Sequence, residues 1–136
     1  MKPQIFKVKI KVKKDDIDFN GHVNNLKYLE WMINSAVKHS ESLGFTPEKY
    51  KEIGSTWFVK SHHIEYKKPA FLNDELIIKT WIDEVKKITS VRKYELYKGD
   101  ELLAFGETEW IFVDINTHRP KKIPDDVIEK YIEGYN

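Results

Sequence analysis

The chain has 136 residues, a formal net charge of +1, 40% hydrophobic and 33% charged residues, and no cysteine. That length suits one domain, read here as residues 1–136. Balanced charge excludes a field that would make nucleic acid or a membrane surface the main partner, and the missing thiols exclude disulfides, thiolate metal sites and a cysteine nucleophile.

The N-terminal run MKPQIFKVKIKVKK has no apolar stretch of the signal-peptide kind, and no window approaches the ~20 apolar residues of a spanning helix. The expected setting is cytoplasmic. Within residues 5–13, Phe6, Val8, Ile10 and Val12 share one face and Lys7, Lys9, Lys11 and Lys13 the other, the period of a strand with one wet side. A polar loop, Lys14 to Asn24, follows. Leu26, Leu29, Ile33, Ala36 and Val37 then recur at helical spacing, widened by Tyr28, Trp31 and Met32, so a helix buried on more than one side is expected. Asn24 or Asn25 suits its N-cap and Gly44 its stop, with Lys38 and His39 at the negative end.

Residues Thr46 to Ser55 read as a polar connector. Four further strands are expected at Thr56–Lys67, Glu75–Val85, Ile88–Lys98 and Leu102–Asp114, with a hairpin turn at Lys98-Gly99-Asp100. The run PDDVIEKYI places proline and two aspartates where a short C-terminal helix begins, packing through Val127, Ile128, Tyr131 and Ile132. Short turns between consecutive strands make the sheet antiparallel. The expected fold is α+β: one long central helix wrapped by a curved five-stranded antiparallel sheet. Its edge strands need cover, and pairing across a two-fold axis predicts a homodimer.

No nucleophile elbow, Walker loop, dinucleotide fingerprint or H-E-x-x-H motif is present. His62 and His63 are strand neighbours that point to opposite faces, and a site built on His22 and Asp18 lacks further ligands, so no metal or cofactor is expected. What remains is D-I-D-F-N-G-H-V-N-N at the mouth of the helix. Gly21 permits a positive φ and close approach by a ligand. A carboxylate there can act as nucleophile or general base, and helix N–H groups can hold a polarised carbonyl oxygen. Those are the parts that hydrolysis of an activated acyl group requires. The same residues also make an Asx-turn loop with an N-cap, and spacing alone does not separate the two readings.

The segment D-I-D-F-N-G-H-V-N-N-L-K-Y-L-E-W resembles the signature of hotdog-fold thioesterases of the 4-hydroxybenzoyl-CoA thioesterase superfamily and is similar to the corresponding stretch of acyl-ACP thioesterases. The later I-E-Y-K-K-P-A-F-L-N-D-E-L resembles that family's strand and turn after the central helix. By this resemblance, Asp18 is the catalytic carboxylate of the bacterial D-x-D pattern, and the Asn25 backbone N–H polarises the thioester carbonyl. The plant D-x-N-x-H pattern falls on Asp18, Asn20 and His22, while the positions of its further carboxylate or cysteine are Pro69 and Ala70, which suits the bacterial pattern. Asp16 is expected to be structural.

The resemblance implies a homodimer, often paired into tetramers. Each active site would then lie at a subunit interface, and the substrate would be an acyl-CoA or an acyl carrier protein thioester. Tyr28, Trp57, Phe58 and His63 are candidate pocket linings, against the plain alternative of aromatic packing. Lys67, Lys68, Arg92 and Lys93 are candidates for phosphate contacts, against solvated sheet-edge cations. Two rival activities stay in view. One is a non-catalytic acyl-CoA-binding module. The other is a hotdog dehydratase or hydratase, which would need a histidine before a proline-glycine turn that this sequence lacks.

Overall fold

A computed structural model describes residues 2–133. Its elements are β1 (Lys2–Pro3), β2 (Phe6–Lys11), α1 (Asn25–Ser42), α2 (Pro47–Ile53), β3 (Ser55–Tyr66), β4 (Glu75–Val85), β5 (Thr89–Lys98), β6 (Glu101–Asp114), α3 (Asp125–Ile128) and β7 (Ile132–Glu133). Five strands form one antiparallel sheet in the order β2-β4-β5-β6-β3. The helix α1 packs across its inner face, which gives the α+β hotdog architecture. β1 and β7 form a separate two-stranded ribbon.

Alternation decides which face of the sheet meets the helix. Leu76, Ile78, Thr80 and Ile82 of β4, and Ser90, Arg92, Tyr94 and Leu96 of β5, are buried at every second position. Of these, Leu76, Ile78, Tyr94 and Leu96 pack with Tyr28, Met32 and Ala36 of α1, and fully burying a side chain such as Met32 contributes roughly 1.5–3 kcal/mol. A second cluster gathers Phe45, Ile82, Phe112 and the C-terminal Val127, Ile128, Tyr131 and Ile132. A bulge in β3 between Val59 and Ser61 reverses the alternation there, so Trp57 and Ile64 both pack inward although seven positions apart.

Three expectations are corrected and one is met. The connector after α1 contains a helix, because Thr46 caps the Lys49 N–H, Pro47 sits in the first turn and Gly54 ends the helix at φ 75°. The expected short C-terminal helix is present as α3, followed by a 3₁₀ turn at Glu129–Tyr131 and β7, and Val127, Ile128, Tyr131 and Ile132 pack together as expected. The buried side of α1 is a single stripe of Tyr28, Met32, Ser35, Ala36 and His39, while Leu26, Leu29, Ile33 and Val37 form a second stripe left partly open within one chain. His39 is fully buried rather than a cation at the helix end, since desolvation and then the neighbouring Arg92 charge push its pKa down to about 3.

Candidate active site

The polar loop before α1 is a miniature hairpin. Ile17 and Val23 form an antiparallel bridge, Asp18 N–H donates to His22 O at 3.1 Å, and Gly21 N–H donates to Asp18 O at 3.0 Å. This is a type I turn closed by a left-handed residue, and Gly21 at φ 85° supplies it. No atom lies within 4 Å of where its Cβ would be, so the backbone angle alone calls for glycine. Asp18 Oδ1 accepts from Asn20 N–H at 2.9 Å, the Asx contact that favours aspartate at the turn's first position. Its Oδ2 makes no hydrogen bond among the described residues. Asn20 and Gly21 are exposed, and Phe19 at the tip is 98% exposed.

Asp16 holds this hairpin to the helix. Its carboxylate accepts from Lys13 N–H at 2.9 Å and lies 3.5 Å from Lys27 Nζ, while its backbone O accepts from Asn24 N–H. Asn24 is the N-cap, with Oδ1 accepting from Leu26 N–H at 2.9 Å and its backbone O accepting from Lys27 N–H. Asn25 stands between, at the first helical position, and its N–H has no acceptor among the described residues. The helix dipole adds positive potential at that point.

A cleft of about 240 Å³ opens here, lined by His22, Asn25, Tyr28, Tyr66, Lys67 and Pro69, together with Lys68. Tyr28 forms its floor, buried and pinned where its hydroxyl accepts from Ala70 N–H at 3.1 Å. Burial raises the Tyr28 pKa, which keeps the phenol protonated. Tyr66 stands edge-on to the Tyr28 ring and donates to Asn25 O at 3.3 Å. His22 Nδ1 faces Val23 O at 3.3 Å, and because a carbonyl oxygen only accepts, Nδ1 donates in this contact. A carboxylate with one unengaged oxygen, an imidazole and a free helix N–H thus share one end of the fold.

The other candidates divide. Trp57 lies away from this cleft, on the wall of a second cavity beside the C-terminal half of α1. Phe58 and His63 lie on the sheet's outer face, Phe58 against His118 and His63 3.8 Å from Glu65. Lys67 and Lys68 stand at the cleft, with Lys67 over the Phe105 ring and Lys68 paired to Glu101 at 2.6 Å. Lys93 faces outward and pairs with Asp83. Arg92 is corrected as a phosphate contact: it is buried under the helix, and as Lys93's strand neighbour it points to the opposite face. The sequence reading missed Tyr66 and the His39–Arg92 pair. Strict alternation of Ser90, Arg92, Tyr94 and Leu96 was the available signal for Arg92.

A helix cradled by this sheet, with a polar hairpin at its N-terminus, defines a hotdog-fold thioesterase. The sequence matches the family described as Acyl-ACP thioesterase N-terminal domain over residues 3–131, and the chain belongs to that family of thioester hydrolases. It is 27% identical over 123 residues to the acyl-CoA thioesterase YbgC of Haemophilus influenzae, covering 90% of each chain. It is 31% identical over 111 residues to the L-carnitine dehydrogenase/betainyl-CoA thioesterase of Ruegeria pomeroyi, covering 80% of this chain but 22% of that longer protein. Among solved structures, the DHNA-CoA thioesterase of Staphylococcus aureus superposes with a TM-score of 0.83 at 25% identity, covering 93% of this chain and 88% of that one. No helix among the described residues is long and apolar enough to cross a membrane.

Proposed function

We propose that residues 1–136 act as one thioesterase domain that hydrolyses an acyl-CoA or acyl carrier protein thioester to the free acid and thiol. The observation that carries this reading is the unengaged Asn25 N–H at the head of α1, in the cleft that also holds His22 and adjoins the Asp18 hairpin. The thioester carbonyl oxygen accepts from Asn25 N–H, and this contact strengthens as negative charge builds on that oxygen. Asp18, through its free oxygen, either attacks the carbonyl carbon to form an anhydride that water then hydrolyses, or takes a proton from a water that attacks directly. Asn20 and His22 orient Asp18, water and substrate, and the leaving thiolate takes up a proton. Lys67 and Lys68 supply positive charge at the cleft mouth for phosphates of the carrier group.

The working unit of this proposal is a cytoplasmic homodimer, paired in turn into tetramers. β3 is a twelve-residue edge strand with Phe58, Val59 and Tyr66 exposed, and α1 keeps its open stripe beside it. A second protomer joined along this edge covers both and completes the acyl site, which brings Phe58 and His63 of one chain to the neighbourhood of the other. Turnover of an acyl-CoA panel, followed by release of free thiol, tests the activity. Asp18→Ala is expected to lose about 10²- to 10⁴-fold in kcat while it stays folded and dimeric by melting and light scattering. A folded Asp18→Ala protein with wild-type turnover would sink the assignment.

A further inference from the structure

Arg92 is 3% exposed, on the inner face of β5. Its Nη1 donates to His39 Nδ1 at 3.0 Å and to Thr80 Oγ1 at 3.1 Å, and the guanidinium lies 5.6 Å from the Tyr131 ring centroid. His39 carries no compensating charge: it is neutral, and its Nε2–H donates to Gln4 Oε1 at 2.8 Å. Among the described residues no carboxylate pairs with Arg92. A buried charge without an opposite charge is costly, so this cation is unusual unless something else meets it.

What could meet it is visible in the cavity. Arg92 Nε and Nη2 make no hydrogen bond among the described residues, yet neither is a sealed atom. Arg92 forms part of the wall of a cavity of about 220 Å³, whose other walls include Ala36, Phe45, Trp57, Ile82 and Ser90, with the exposed Glu41 also on its lining. That volume holds about seven groups the size of a water molecule or methylene. Ala36 lies eleven residues beyond Asn25 on α1, about 17 Å at 1.5 Å per residue. The same helix and β3 wall both sites: Asn25 and Tyr66 at the cleft, Ala36 and Trp57 at the cavity. The half-open Leu29 and Ile33 lie along the helix between them.

We infer that this cavity is the distal end of the acyl site and that Arg92 selects acyl groups ending in a carboxylate, that is, monothioesters of dicarboxylic acids. The inference rests on the thioesterase reading for the position of the carbonyl at Asn25. The paired donors Nε–H and Nη2–H offer a planar fork that matches a distal carboxylate. A methyl-ended chain of equal length leaves the fork unpaired and the cation without its anion. An acyl chain too short to reach the cavity gains nothing from Arg92, so the selection grows with chain length.

The test compares ω-carboxyacyl-CoAs with methyl-ended acyl-CoAs of matched, increasing length on the wild-type protein. The expected result is a kcat/KM ratio that rises with length to tenfold or more in favour of the carboxylate. In Arg92→Met, shown folded by its melting profile, that ratio falls to one or below. A wild-type ratio at or below one at every length, with the methyl-ended series turned over, overturns the inference and leaves the thioesterase reading standing. If neither series turns over, the thioesterase reading fails. Calorimetric titration of the wild type with free dicarboxylates against monocarboxylates of equal length then decides the cavity alone: preferential dicarboxylate binding supports the assignment to Arg92, and equal or absent binding overturns it. The wild-type measurements stand even if Arg92→Met does not fold.

Discussion

Arg92 donates to His39 Nδ1 at 3.0 Å, joining a strand cation to a helix imidazole that must stay neutral to accept it. Burial first, then the Arg92 charge, lowers the His39 pKa from 6.5 to about 3. Unfolded, the same imidazole takes up a proton near pH 6.5 that the folded protein refuses until about pH 3. The resulting stability is fully present above pH 6.5 and is lost as pH falls through that window, with a slope of up to about 1.4 kcal/mol per pH unit. Urea unfolding of wild type and His39→Gln across this range isolates the contribution, because other titrating groups cancel in the difference. Identical pH slopes in the two proteins would show that His39 does not contribute in this way.

The Asn25 N–H can be removed without disturbing the helix. Asn25 occupies the first helical position, where proline is favoured, and Asn24 already has the extended backbone, φ −60° and ψ 132°, that precedes proline well. Asn25→Pro is therefore expected to melt close to wild type and to lose about 10²- to 10³-fold in kcat, the cost of deleting one oxyanion donor. Circular dichroism and thiol-release kinetics read the two effects separately. Full activity in a folded Asn25→Pro protein would remove the backbone N–H from the mechanism.

Gly106 of β6 lies where β3 and Met32 of α1 crowd together. A Cβ at this position would lie 2.9 Å from His63 O, 3.1 Å from Met32 Sδ and 3.2 Å from Ile64 Cγ1. Met32 can swing, but the His63 carbonyl belongs to the paired β3 backbone and cannot. Gly106→Ala is expected to destabilise by about 1–3 kcal/mol, seen as a fall of several degrees in the melting temperature. An unchanged melting temperature would mean that β3 and β6 separate there at little cost.

Much of the architecture was legible because it rests on local periodicity. The five sheet strands and α1 follow from alternation and helical spacing, with ends within a few residues of those observed. The seven residues of α2 show too little period to mark a helix, although Thr46, Pro47 and Gly54 punctuate it. The bulge at Val59 and Ser61 left no such mark, and it decides which residues of β3 face the helix and which, like Phe58 and His63, face away.

The site divides along the same line. The sequence by itself determined a polar loop, an N-cap at Asn24 or Asn25 and a glycine suited to positive φ, since these depend on contacts between residues a few positions apart. Only the tertiary structure decided that Tyr66, forty-one positions from Asn25, closes over the head of the helix. It also decided that Arg92 lies under the helix with a neutral histidine instead of on the surface with the lysines. Burial and partnership across a sheet are set by register between distant segments, which a one-dimensional pattern of residue types does not contain.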